Sequence, residues 1–190
     1  MAELFETLTA LDGAASAYGE EFRWAPLTAV FLLASTWFVK WPLIAAIGCA
    51  CDAKRKCFPQ AALAAALAIT TAASLVTLLK EAFDRARPPV ADPGLDPVGV
   101  VPASASFPSG HAATAFAAAV AIALVYPRLG RPLVALAVVV ALSRVYLGVH
   151  YVLDVAAGTL LGIAVGFGAA WVVRTIAPSP RAPVASLGPS

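Results

Sequence analysis

The sequence predicts an all-α fold: a polytopic membrane helical bundle of five to six transmembrane helices, with an N-terminal helix lying in the membrane interface. Three observations predict it. The mean hydropathy is +0.84. Only 13% of the 190 residues are charged, about half the share in a soluble globular domain. Uncharged stretches recur at the length a bilayer demands, and in lipid the backbone must satisfy its own hydrogen bonds, which makes each of them a helix.

The elements follow in order. Residues 1–23 carry Leu4, Phe5, Leu8 and Leu11 at helical spacing, with Glu3, Glu6 and Asp12 among them, the pattern of an interfacial helix. The segment lacks the basic start and continuous apolar centre of a signal peptide. A membrane-embedded body is expected over residues 24–176. Its first apolar run, Trp24 to Cys51, is interrupted by Lys40, read as a snorkelling lysine beside a kink at Trp41-Pro42 or as the end of the span. Ala61 to Leu79 is uncharged over 19 residues, enough for one crossing. Ser109 to Tyr126, Pro132 to Ser143 and Val155 to Val173 supply the remaining spans, with Tyr126 to Arg131 as a link. Gly158, Gly162 and Gly166 recur every fourth residue, a spacing for close helix packing. Residues 177–190 are rich in Pro, Ala and Ser and read as a disordered tail.

Lys54, Arg55, Lys56, Arg128, Arg131, Arg174 and Arg181 fall on one face, which is therefore expected to be cytoplasmic. From the small size of the chain alone, the membrane expected is a bacterial inner membrane. A net charge of +2 does not point to a nucleic-acid partner. Cys49, Cys51 and Cys57 cluster without a neighbouring histidine, so they read as reduced structural residues rather than a metal site.

The chain has two histidines, and each sits in a polar cluster. Lys80 is followed by Arg87-Pro88; His111 lies in Phe107-Pro108-Ser109-Gly110-His111; Ser143-Arg144 leads to His150 and Asp154. Because successive spans reverse direction, all three clusters reach one side of the membrane, the side expected to be extracytoplasmic. His150 and Asp154 share a helix face at i, i+4, so the carboxylate can orient the imidazole. Pro108 suits entry to a helix, leaving the Ser109, Gly110 and His111 amides as first-turn donors for a phosphate. Lys80, Arg87 and Arg144 can neutralise its oxygens. Arg85 lies outside these clusters and reads as an interfacial anchor. Asp154 paired with Arg144 as plain charge compensation is the structural alternative.

The series Lys80-x6-Arg87-Pro88, Pro108-Ser109-Gly110-His111 and Ser143-Arg144-x5-His150-x3-Asp154 resembles the signature of the type 2 phosphatidic acid phosphatase superfamily. The resemblance implies a membrane lipid phosphatase. His150 would be the nucleophile forming a phosphohistidine, Asp154 its orienting carboxylate, and His111 the general acid and then base. Lys80, Arg87, Ser109, Gly110 and Arg144 would bind the phosphate, with Ser143 a weaker member. It implies no metal or other cofactor, and as partners a lipid phosphate substrate and membrane lipids; a homo-oligomer is left open. Many undecaprenyl pyrophosphate phosphatases of the superfamily carry Asp where Gly110 stands. That tilts the expected substrate toward phosphatidate, phosphatidylglycerophosphate or a broad range of lipid phosphates. Undecaprenyl pyrophosphate hydrolysis, non-catalytic lipid-phosphate transport and vanadate-dependent peroxidase chemistry are the alternatives. The loop Pro89 to Phe107 is expected on the membrane surface, bordering a lateral entrance.

Overall fold

The computed structural model describes residues 12–13, 23–36 and 60–176. The expected interfacial helix apart from Asp12 and Gly13, Lys40, the three cysteines and the C-terminal tail lie outside the described residues. Every described regular element is a helix: α1 (Ala25–Ser35), α2 (Gln60–Phe83), α3 (Pro88–Ala91), α4 (Gly110–Val125), α5 (Pro127–Tyr146) and α6 (Val152–Ile176).

Helix α4 is the hub. Ala112 through Ala119 are buried without interruption, because α2, α5 and α6 pack around it. In water such all-round burial would need large side chains at the contacts. Here the contacts are made by alanine and glycine, and the large apolar residues point outward: Leu63, Leu67, Leu78, Leu160, Phe167 and Trp171 are all exposed. This inversion is the signature of a bundle solvated by lipid, where close backbone approach drives association. On α2 the buried stripe Ala61, Ala64, Ala65, Ala68, Ala72 and Val76 follows the helical repeat. The chain is an integral membrane protein.

The helices differ in length, and one expected link changes. Among the described residues three helices are long and apolar enough to cross a membrane, namely the stretch beginning at Gln60, α5 and α6, while α1 and α4 are shorter apolar helices. Helix α4, at 16 residues, rises only about 24 Å. The link expected from Tyr126 to Arg131 is helical instead: α5 begins at Pro127, with Pro132 inside it. A proline at the first helical position has the right φ and loses no bond. The amide missing at Pro132 would have served the carbonyl of Arg128, which is exposed in the first turn.

Helix α1 leans on the far end of α5. Phe31 meets the Tyr146 ring edge-on at 4.8 Å, and the Tyr146 hydroxyl lies 2.9 Å from Thr28 Oγ1 and accepts from the Trp24 amide at 2.8 Å. This end of the bundle carries the polar clusters. The opposite end holds Arg128 and Arg174, the latter donating to the Leu124 carbonyl at the end of α4.

The glycine repeat of α6 acts as expected. A Cβ built on Gly158 would collide with the Ser109 carbonyl, one on Gly162 with the Ala113 carbonyl, and one on Gly166 would lie 2.7 Å from the Ala117 carbonyl. The repeat thus lays α6 directly on the backbone of α4 along three successive turns.

Candidate active site

The three sequence clusters meet around one cavity of about 570 Å³ at the polar end of the bundle. Lys80, Arg87, Gly110, His111, Arg144 and His150 all line it. Each arrives by a different local device. Lys80 ends α2, Gly110 and His111 begin α4, and Arg144 closes α5. The step from Arg144 to His150 is a tight C-cap: the Leu147 amide donates to Ser143 at 2.9 Å, Gly148 to Val145 at 2.9 Å and Val149 to Arg144 at 3.3 Å. Gly148 has φ of +71°, a conformation that needs glycine. The spacing of the third cluster is therefore set by how α5 turns into α6.

His150 is 2% exposed and its tautomer follows from its neighbours. Arg87 Nη1 lies 3.1 Å from Nε2. A guanidinium can only donate, so Nε2 is the unprotonated nitrogen and Nδ1 carries the hydrogen toward Asp154 Oδ2, 3.3 Å away. Burial holds the His150 pKa down to about 4, with the cationic Arg87 and Arg144 pushing the same way and Asp154 opposing them. The ring is neutral at physiological pH, its free lone pair facing the cations.

Asp154 is fully buried. Its Oδ2 also accepts from the Ser106 hydroxyl at 2.5 Å and the Tyr151 amide at 3.0 Å. Its charge partner is Arg85, whose Nη1 stands 2.8 Å from Oδ1, and not Arg144. Arg85 is thereby corrected: it is no interfacial anchor. Its side chain is 18% exposed and lies 3.9 Å above the Tyr151 ring.

Ser109 takes a different position from the other cluster residues. It is fully buried and does not line the cavity. Its amide donates to the Asp154 carbonyl at 2.9 Å, and its hydroxyl accepts from the Ala112 amide at 3.5 Å as the N-cap of α4. An N-cap satisfies one of the first-turn donors and fixes where the helix starts. Ser143 likewise turns inward, donating to the Val140 carbonyl at 2.6 Å.

The loop after α3 supplies residues that the sequence reading missed. Arg87 Nε donates to the Ser104 carbonyl at 2.8 Å and Nη1 to Val149 at 2.8 Å; Lys80 Nζ donates to Ser104 Oγ at 3.2 Å and to the Ala105 carbonyl. Ser104 and Ser106 follow the apolar run Pro97 to Ala103, which was the available signal. Arg144 brings a different kind of group: its Nε is buried and has no hydrogen-bond partner. The Arg144 side chain as a whole lines the cavity, where a guanidinium is suited to an anion's oxygens. Glu81 and Asp84 stand at the cavity's acidic side, while Ala73, Val76, Thr77 and Thr114 extend it along α2 and α4.

Known proteins resemble this chain in sequence and in fold. The solved transmembrane PAP2-type phosphatidylglycerolphosphate phosphatase from Bacillus subtilis superposes with a TM-score of 0.76 at 29% identity, covering 92% of this chain and 90% of that one. A decaprenylphosphoryl-5-phosphoribose phosphatase of Mycobacterium tuberculosis is 36% identical over 131 residues, 67% of this chain and 68% of that protein. A lipid A 1-phosphatase of Rhizobium etli is 41% identical over 92 residues, 46% of this chain but only 40% of that protein's length. Residues 61–177, which hold every cavity-lining residue and all three clusters, match the PAP2 superfamily, and the chain belongs to that family.

Proposed function

We propose that the protein is a lipid phosphate phosphatase working through a phosphohistidine on His150, at the extracytoplasmic face of a bacterial inner membrane. The observation that carries this reading is the convergence of Lys80, Arg87, Arg144, His111 and a neutral His150 on one cavity. The three cations and the start of α4 at Gly110 cradle the phosphoryl oxygens. His150 Nε2 attacks phosphorus in line, the P–O bond to the lipid breaks, and His111 gives the departing oxygen its proton. Water then attacks the phosphohistidine, with His111 taking the water's proton, and releases orthophosphate. Asp154 keeps the nucleophilic nitrogen free by receiving the hydrogen of the other, and Ser109 contributes by capping the helix that presents Gly110 and His111. The basic residues at the opposite end, Arg128 and Arg174, favour that end for the cytoplasm.

The apolar arm of the cavity points to a lipid. Ala73 lies seven residues before Lys80, about 10 Å along α2, so a chain attached to the bound phosphate has an apolar course beside it. Glu81 and Asp84 at the rim disfavour additional negative charge, which favours a phosphomonoester such as phosphatidate or phosphatidylglycerophosphate over a diphosphate. Two relatives named for other lipid phosphates, decaprenylphosphoryl-5-phosphoribose and lipid A, are consistent with the same chemistry on other headgroups.

No step in this scheme calls for a metal, since the cations of the cradle are side chains. Phosphate release from phosphatidate, phosphatidylglycerophosphate and undecaprenyl pyrophosphate by purified protein in detergent tests the proposal. Release is expected to persist in excess EDTA and to be fastest with a monoester. Loss of activity in EDTA with recovery in magnesium would refute the mechanism. A folded protein that binds these lipids and releases nothing would point to transport.

A further inference from the structure

The two oxygens of Asp154 are served by different donors. Oδ2 receives Ser106, Tyr151 and His150, while Oδ1 receives Arg85 Nη1 at 2.8 Å. The other arm of the same guanidinium, Nη2, donates to Asp12 Oδ2 at 2.9 Å. Asp12 is 4% exposed, and its second oxygen accepts from the Leu153 amide at 3.1 Å, one residue before Asp154. Arg85 is further fixed through its backbone, its carbonyl accepting from the Ser106 amide at 2.7 Å.

An arginine facing a single carboxylate tends to engage both oxygens with its fork. Such a grip on Asp154 would compete with His150 for Oδ2. Asp12 prevents it by holding Nη2 on the far side, which leaves Arg85 one arm on Oδ1 only. Tyr151 beneath the guanidinium resists rotation in the remaining direction. We propose that Asp12 and Arg85 form a positioning pair that fixes Asp154 so that Oδ2 faces His150, making the N-terminal segment part of the catalytic apparatus. This rests on the reading of His150 as the nucleophile. Neither residue lines the cavity, so both act through Asp154 and not on the substrate.

The charged and titratable groups facing this carboxylate are Arg85 from the segment after α2, Asp12 beyond it, and His150 and Tyr151 from the turn before α6. On the other side of the imidazole Arg87 Nη1 lies 3.1 Å from Nε2, with Arg144 and Lys80 lining the same cavity. Removing Arg85 takes a cation away and so favours the protonated form of His150. Removing the Asp12 charge does the opposite. The two halves of the pair therefore carry opposite pH signatures, which a merely structural role would not produce.

The test is steady-state kinetics on the full-length protein with R85Q, R85K and D12N, together with inhibition by orthophosphate. R85Q is expected to lose about 10–100-fold in kcat, as for other residues that orient a ligand from behind, with KM and orthophosphate inhibition changed less than about twofold. R85K should fall between R85Q and wild type, since a point charge cannot span two carboxylates. The acid limb of kcat/KM should move up in R85Q and down in D12N. Wild-type kcat in a folded R85Q, or a loss expressed in KM and orthophosphate inhibition, overturns the proposal. If R85Q does not fold, R85K and D12N carry the same readouts, and unchanged kcat in both overturns it. An active H150A would instead refute the nucleophile assignment itself, so the two failures are distinct.

Discussion

Alanine at position 150 is expected to lower kcat for lipid phosphate release by about 10⁴-fold or more, a barrier increase of about 5.5 kcal/mol. The chain has only one other histidine, and His111 lies at the start of α4 on another wall of the cavity. No second imidazole stands where it could take the place of Nε2. The fold and the cradle should survive, because Lys80 and Arg87 are held by Ser104 and Ala105 independently of the ring. Orthophosphate should therefore still inhibit residual binding of substrate to the variant. The companion His111→Ala separates the two histidines. Its defect lies in protonating the leaving oxygen, so an activated ester such as p-nitrophenyl phosphate should restore much of the phosphorylation step. His150→Ala should remain inactive on that ester. Equal recovery of both variants would remove the distinction between nucleophile and acid on which the mechanism depends.

The same assignment sets the acid side of the pH profile. His150 attacks only when neutral, and its pKa is held down to about 4 by burial first and by Arg87 and Arg144 next. Activity should thus persist well below the ordinary histidine range and fall only as pH approaches about 4. His111, for its part, must carry a proton to deliver one. An acid limb of kcat/KM near the unperturbed histidine value would mean that the nucleophile is not buried as described.

The polar constellation was legible because membrane sequence is nearly free of charge, so the few polar residues stand out, and because alternating spans force them to one side. Lys80, Arg87, Gly110, His111, Arg144 and His150 stood out in that way, and the resemblance to the superfamily signature separated them from Arg85. Arg85, Ser104 and Ser106 were harder to see. Their partners lie far away in sequence, 69 residues for Arg85 to Asp154 and 48 for Ser106 to Asp154, and they occur in a segment without periodicity. Arg85 in particular looks like any arginine at a helix end until Asp12 and Tyr151 are brought around it. Ser109 shows a different difficulty: a serine before a helix can cap it or bind an anion, and the choice depends on where the Asp154 carbonyl falls. The start of α5 was misplaced because Pro132 and the charges Arg128 and Arg131 resemble a loop, although Pro127 is well placed to begin a helix.

Substituting alanine for glycine in α6 should have opposite effects at positions only a few residues apart. At Gly162 the new methyl meets the Ala113 carbonyl, with Phe116 Cβ 3.0 Å away, and backbone cannot yield as a flexible side chain would. Overpacking of this kind costs about 1–3 kcal/mol or more, which outweighs the gain of about 1 kcal/mol from replacing glycine inside a helix. At Gly168 nothing lies within 4 Å, so the same substitution is expected to stabilise by about 0.5–1 kcal/mol. Thermal unfolding in detergent reads both, with shifts of about 2–4 °C per kcal/mol for a chain of this size. Gly158 adds a functional consequence. Its Cβ would strike the carbonyl of Ser109, the N-cap of α4, whose amide is bound to Asp154 on α6. Pushing α6 away there displaces Gly110 and His111 relative to His150, and a misplacement of about 1 Å can cost 10²-fold in rate. Gly158→Ala should therefore lose more activity than its loss of stability accounts for, while Gly162→Ala, a turn further from the cavity, should lose stability first. If Gly158→Ala keeps full activity at a temperature where it is folded, the contact between α4 and α6 does not hold the two histidines in register.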